Sequence, residues 1–196
     1  MSELSDLQEK LDRSEAKDRF NNWVAISVAI ISVFMAITKV KDDNIVQAML
    51  QAKSDAVDTW NEYQAKKIKH HLAELGLSQV KALQVLDQLK ASAELASQQK
   101  QYQETLGRYQ GEEAALSNKA KGFEKQYDDL NFRDDQFDLS DATLAISLAM
   151  LAVSALTGKR KLFALAWVFA GFGILMGLAG LMGLSWHPTA LVQLLS

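Results

Sequence analysis

Charge is distributed along this chain in blocks. Residues 20–38, 142–158 and 162–186 contain no Lys, Arg, Asp or Glu, and all 45 formally charged residues lie outside them. The hydrocarbon core of a bilayer asks for roughly 17–25 apolar residues per helical crossing, and these stretches hold 19, 17 and 25. A soluble helix buried in a core has no need to exclude charge from every face over that length. The pattern predicts an all-α membrane protein with transmembrane helices at 20–40, 141–157 and 162–186.

Between the first and second stretches lies a charged segment, residues 41–140, whose apolar positions recur at helical spacing. It has no proline and only four glycines over residues 42–138: Gly76, Gly107, Gly111 and Gly122. The clearest register is Tyr102, Leu106, Tyr109, Glu113, Leu116, Ala120, Phe123, Tyr127, Leu130, Asp134 and Phe137. Its steps of 4 and 3 make a coiled-coil seam with two polar interruptions. Ile45, Met49, Ala52, Ala56 and Tyr63 form a stripe on an earlier helix, and Leu77, Val80, Leu83, Leu86 and Leu89 continue beyond Gly76. The expected layout is an outgoing helix over 42–75, a corner helix over 78–95 and a returning helix over 97–138. Together they form a long antiparallel helical hairpin, or coiled-coil module, inserted between spans 1 and 2. Bulky tyrosines on the seam leave apolar surface that packing into a homo-oligomer would cover.

Charge changes the picture in two ways. Residues 39–141 carry 14 Lys/Arg against 18 Asp/Glu, a net charge of −4, so no nucleic-acid partner is expected, because such a partner asks for a basic surface. The link Gly158-Lys159-Arg160-Lys161 concentrates three cations between the second and third spans, and short basic loops stay cytoplasmic. Residues 1–19 are amphipathic (Leu4, Leu7, Leu11) and hold six acidic and four basic residues. They read as a retained cytoplasmic helix leading into the first span, whereas a cleaved signal peptide opens on a short basic region. Alternation then places the module outside the cytoplasm, on the periplasmic side of a bacterial inner membrane, with residues 187–196 as a tail. Cysteine is absent, which excludes disulfides, thiol catalysis and cysteine–zinc sites.

The segment Trp60-Asn61-Glu62-Tyr63-Gln64-Ala65-Lys66-Lys67-Ile68-Lys69 resembles the signature of an uncharacterised bacterial three-span membrane family, W-x-x-Y-Q-A-K-x-x-K. Arg108-Tyr109 and Phe137-Asp138-Leu139 stand where later motifs of that family would fall. The resemblance implies topology and fold over most of the chain and supplies no activity. On a helix, Trp60, Tyr63, Lys67 and His70 or His71 share one face. The expectation is a polar inter-helix joint of Trp60, Tyr63, Gln64, Lys66 and Lys67 with Arg108, Tyr109 or Glu104. The same residues would otherwise hold a ligand or a lipid headgroup.

No catalytic, cofactor or metal site is expected. His70 and His71 point about 100° apart on a helix and read as a solvated pair; His187, beside Trp186 and Pro188, reads as an interfacial anchor. Asp42, Asp43, Asp134, Asp135, Asp138 and Asp141 would meet as an acidic collar where the hairpin joins the membrane. The collar either concentrates cations or, more simply, consists of helix caps at Asp42/Asp43 and Asp141. Small residues mark contact faces between membrane helices: Ala25, Ala29, Ser32 and Ala36 on the first span, Ala142, Ala145, Ala149 and Ala152 on the second, and Gly173, Gly177 and Gly180 on the third. With nothing to titrate inside the spans, coupled transport is disfavoured. The expected protein is a non-enzymatic, self-associating membrane scaffold or envelope organiser, whose partners are the lipid bilayer and further copies of itself. The alternative is a homo-oligomeric cation-permeable channel with the collar as its vestibule.

Overall fold

A computed structural model describes residues 2–86 and 93–184, and every element in it is helical: α1 (Ser2–Leu86), α2 (Ala93–Thr157) and α3 (Arg160–Met182). Each of the three is long and apolar enough to cross a membrane. The His187 anchor, the 187–196 tail and Leu89 of the corner helix lie outside the described residues.

The expected helix boundary at Gly76 is absent. α1 is one helix of 85 residues, from the amino-terminal tail through the first apolar stretch and past Gly76 to Leu86. Gly76 serves a close approach: a Cβ placed there would lie 2.6 Å from Cζ of Tyr102. Glycine costs a helix about 1 kcal/mol relative to alanine, which α1 absorbs in exchange for room for a tyrosine ring. The basic link is also shorter than expected. Only Gly158 and Lys159 connect α2 to α3, while Arg160 and Lys161 open α3. Gly158 makes the reversal in the left-handed region at φ 67°, where a Cβ would be strained. α3 ends in the same way. Gly183 takes φ 66°, and the Gly183 and Leu184 amides donate to the Gly180 and Ala179 carbonyls, a Schellman closure.

The chain divides into two compact units, residues 1–47 with 130–196, and residues 48–129. In the first unit, segments of all three helices share a core of Val24, Ile31, Leu144, Leu151, Ala166 and Ala170. Polar groups tie the helices at intervals: the Ser147 hydroxyl donates to the Ala166 carbonyl at 2.8 Å, and the Trp167 indole N–H donates to the Ser27 hydroxyl at 3.2 Å. Without a hydrophobic drive between helices in lipid, such bonds and close packing hold a bundle together.

The glycines of α3 do the close packing. A Cβ at Gly173 would meet Thr143 and Leu144, at Gly177 Phe34 and Ser140, and at Gly180 Phe137, each at 2.9 Å or less. The small residues of the other two stretches are turned the other way. Ala25, Ala29, Ser32 and Ala36 are exposed, as are Ala145, Ala149 and Ala152, with Ala142 half-buried. The inward faces are instead Val24, Ser27, Ile31 and Thr38 on α1, and Leu144, Ser147, Leu151 and Ser154 on α2. The reason is steric. Glycine on one helix already lets the axes approach, so its partners fill the groove with large side chains, and alanine opposite glycine would leave a void.

In the second unit the two helical segments run antiparallel, pairing Lys53 with Tyr127, Trp60 with Glu124, Lys66 with Glu112 and His70 with Glu113. The burial pattern follows the expected registers except at Leu83, which is 52% exposed. Ala52, Ala56, Ala73 and Val80 are buried on α1 and Ala120 on α2, with Tyr102, Leu106, Tyr109, Glu113, Leu116, Phe123 and Tyr127 half-buried along the same stripe.

Candidate functional site

Two clusters of polar side chains stand out, one in each unit. The first lies between the antiparallel segments. Trp60 packs edge-on against Tyr63 with ring centroids 5.3 Å apart, and its indole N–H donates to Glu124 at 2.8 Å. One turn further, the Lys66 ammonium donates to Glu112 at 2.5 Å and lies 5.8 Å from the Tyr109 ring. Glu112 is also approached by Arg108, at 3.8 Å, whose guanidinium stacks over Tyr109. The bond from Lys66 holds the Glu112 carboxyl below its usual range and the Lys66 ammonium above its own.

The signature residues therefore do lie at a contact between helices, but the partners differ from those expected. Lys67 stays on its own helix over Tyr63, Glu104 pairs with Lys100 on α2, and Gln64 is exposed. His70, read as solvated, has a side chain 20% exposed, with Nδ1 2.8 Å from Glu113. Its neighbour His71 is exposed and bonded to Glu74 at 2.9 Å. The 3-4 spacing from Trp60 through Tyr63 and Lys66 to His70 selects the inner face, and a strict i,i+4 step from Tyr63 to Lys67 misses it by one residue. No group of three His, Asp or Glu side chains among the described residues is placed to hold a metal ion. As for a ligand site at the signature, Trp60 borders an open cleft of about 400 Å³ with Lys53, Ala56, Val57, Glu124, Tyr127 and Asp128. Of the proposed headgroup ligands only Trp60 lines it.

The second cluster lies in the first unit and gathers several of the expected collar residues. Asp42 is 2% exposed and takes a hydrogen bond from the Lys39 ammonium at 2.7 Å through Oδ2, while its Oδ1 is buried without a hydrogen-bond partner among the described residues and the Asp134 carboxyl lies near it. Burial, and then the nearby Asp42 carboxylate and the charge of Asp138, push the Asp134 carboxyl up to about 7. Asp141 and Asp135 are half-buried, and Asp43 and Asp138 are exposed, Asp43 3.6 Å from Lys39. The reading of Asp42, Asp43 and Asp141 as helix caps fails, because α1 and α2 run through these positions without ending. A solvated collar also misdescribes Asp42, which is enclosed by its own helices.

Arg133 and Gln136 were not singled out by the sequence. The Arg133 guanidinium donates twice to the Gly180 carbonyl, at 2.9 and 3.3 Å, and the Gln136 amide donates to the Leu184 carbonyl at 2.8 Å. Helices leave their last carbonyls without partners, and here α2 supplies them to the end of α3. One signal was available: a lone arginine among four nearby aspartates, opposite an apolar helix that ends in glycine.

No curated protein and no solved structure matches the chain significantly. A family model described as a domain of unknown function, DUF4337, matches residues 20–183, from the start of the first apolar stretch to the glycine that closes α3. The chain belongs to the DUF4337 family.

Proposed function

We propose that the protein is a non-enzymatic, self-associating integral membrane protein of the bacterial inner membrane, acting as a scaffold or envelope organiser. In this reading residues 41–140 form a helical coiled-coil module inserted between the first two spans and held outside the cytoplasm. The observation that carries it is the outward direction of the small-residue stripes. Ala25, Ala29, Ser32 and Ala36 on α1 and Ala145, Ala149 and Ala152 on α2 make no use of their smallness within the chain. In lipid such stripes favour close approach by another helix, and a further copy is the helix always at hand.

The channel reading gains less support. A vestibule needs carboxylates facing water, whereas Asp42 is buried and bonded to Lys39. Light scattering of the full chain in mild detergent tests the leading reading, with a particle of several copies expected. A monomer at micromolar concentration would remove it. Steady single-channel currents from the same particle in planar bilayers would instead establish the alternative.

A further inference from the structure

The two helical segments of the 48–129 unit differ on the faces they turn away from each other. On α1, Ile68, Leu72 and Leu75 stand 62, 62 and 55% exposed at successive steps of 4 and 3, on the face opposite the buried Ala52, Ala73 and Val80. On α2 the middle of the face opposite the seam is nearly bare. Gly107, Gly111 and Gly122 are exposed there with Ala114 and Ala115, and a Cβ at any of the three glycines would meet nothing within 4 Å. Three glycines inside one helix cost it about 1 kcal/mol each relative to alanine. Among the described residues nothing repays that cost, unlike Gly76 beneath Tyr102.

The two faces correspond in level. Because Lys66 lies beside Glu112 and His70 beside Glu113, Ile68 is level with the turn that holds Gly111. Because Trp60 lies beside Glu124, Asp58 is level with the turn that holds Lys125. Both charged side chains are exposed, and neither has an ion-pair partner among the described residues. Acid on the outer side of α1 thus matches base on the outer side of α2 at the same levels as bulk matches glycine. Asn61 and Asn118, both exposed, fall level in the same way.

We propose that the outer face of α1 in one copy docks on the outer face of α2 in the next, setting Ile68 and Leu72 onto Gly111 and Gly107, with Asp58 against Lys125. The proposal rests on the self-association reading and names its surface. Copies anchored in one membrane share orientation and height, so α1 of one runs antiparallel to α2 of its neighbour in the register already present within each chain. The competing contact, α1 on α1, is parallel. It sets Ile68 against Ile68 and brings Asp58 against its own copy, which like charges oppose. Because the two docking faces are different surfaces, the contact is heterologous and builds a ring or an open array beyond a dimer.

The absence of cysteine makes the test clean. In the full chain, in native membranes, Ile68→Cys with Gly111→Cys is oxidised with copper–phenanthroline. The two positions face opposite ways, so an internal disulfide cannot form. A ladder of dimer, trimer and higher species is expected from the double variant, and dimer alone from a mixture of the two single variants. Ile68→Cys cross-linking by itself as strongly as the mixture would overturn the proposal in favour of α1 on α1. A particle of several copies with no cross-link in either case would overturn it while leaving self-association intact. A monomeric wild-type particle would overturn both. In parallel, Gly111→Leu should keep the helical circular-dichroism signal and shift the scattering mass downward, and an unchanged mass counts against the proposed face.

Discussion

Gly76 and Gly111 are the same residue on two neighbouring helices, and their surroundings predict opposite responses to one methyl group. A Cβ at Gly76 would fall 2.6 Å from the Tyr102 ring, whereas one at Gly111 meets open space. Gly76→Ala therefore forces the ring aside or the helices apart, and overpacking of this kind costs about 1–3 kcal/mol. Gly111→Ala adds helix propensity with no clash and should stabilise the isolated protomer by up to about 1 kcal/mol. Thermal melts of the two variants followed by far-UV circular dichroism, in a detergent that keeps the protein monomeric, should move in opposite directions from wild type. Equal shifts would mean that the Tyr102 contact is not made. The sequence pattern ends a helix at Gly76 and runs one through Gly111; only the partner across the interface separates a contact glycine from a bare one.

Among the elements, the junction of α2 with α3 and the Asp42–Asp134 pair can be tested separately. Arg133→Ala leaves the Gly180 carbonyl without the two bonds it receives at 2.9 and 3.3 Å. Among the described residues that carbonyl then keeps only the Gly183 amide at 3.4 Å. A hydrogen bond from a charged donor contributes about 1.5–3 kcal/mol, so a lower melting temperature is expected, with fraying of the last turn of α3 in hydrogen exchange. Arg133→Lys should recover less than half of that loss, because a point cation lacks the forked geometry. The Asp134 carboxyl predicts a pH dependence of definite sign. Its folded pKa of about 7 lies above the unfolded value, so the native state binds the proton more tightly. The stabilising contribution is then complete below about pH 4 and is lost as pH rises through 7. Lys39, Asp42, Asp135 and Asp138 lie around the group, and none is altered in Asp134→Asn. Burial raises Asp138 as well, so the melting temperature of that variant should decline between pH 5 and 8 clearly less than that of wild type. An equal decline in both would place the titrating group elsewhere.

For the whole molecule, the relevant tests concern assembly and orientation. If folding and association are linked, the melting temperature rises with protein concentration, and a tenfold dilution should lower it. Orientation can be read because the chain has no cysteine: Gly122→Cys, at an exposed position of α2, should react with a membrane-impermeant maleimide in intact spheroplasts. Labelling only after the membrane is opened would place the 41–140 segment in the cytoplasm and reverse the proposed topology.

By itself the sequence determined the helical class, the three stretches able to cross a membrane and the stripe Tyr102 to Tyr127 that α2 buries. These follow from one-dimensional regularities: uninterrupted apolar length, absence of proline, and a 3-4 repeat that closes on one helical face. What a residue meets across an interface has no such signature. Four decisions therefore belonged to tertiary structure: that the alanine stripes of α1 and α2 face outward while the glycines of α3 face inward, that Gly76 receives a ring, that Asp42 is buried against Lys39 and Asp134, and that Arg133 closes α3. Each depends on the relative rotation and register of two helices, which their separate periodicities leave free and only side-chain packing between them selects.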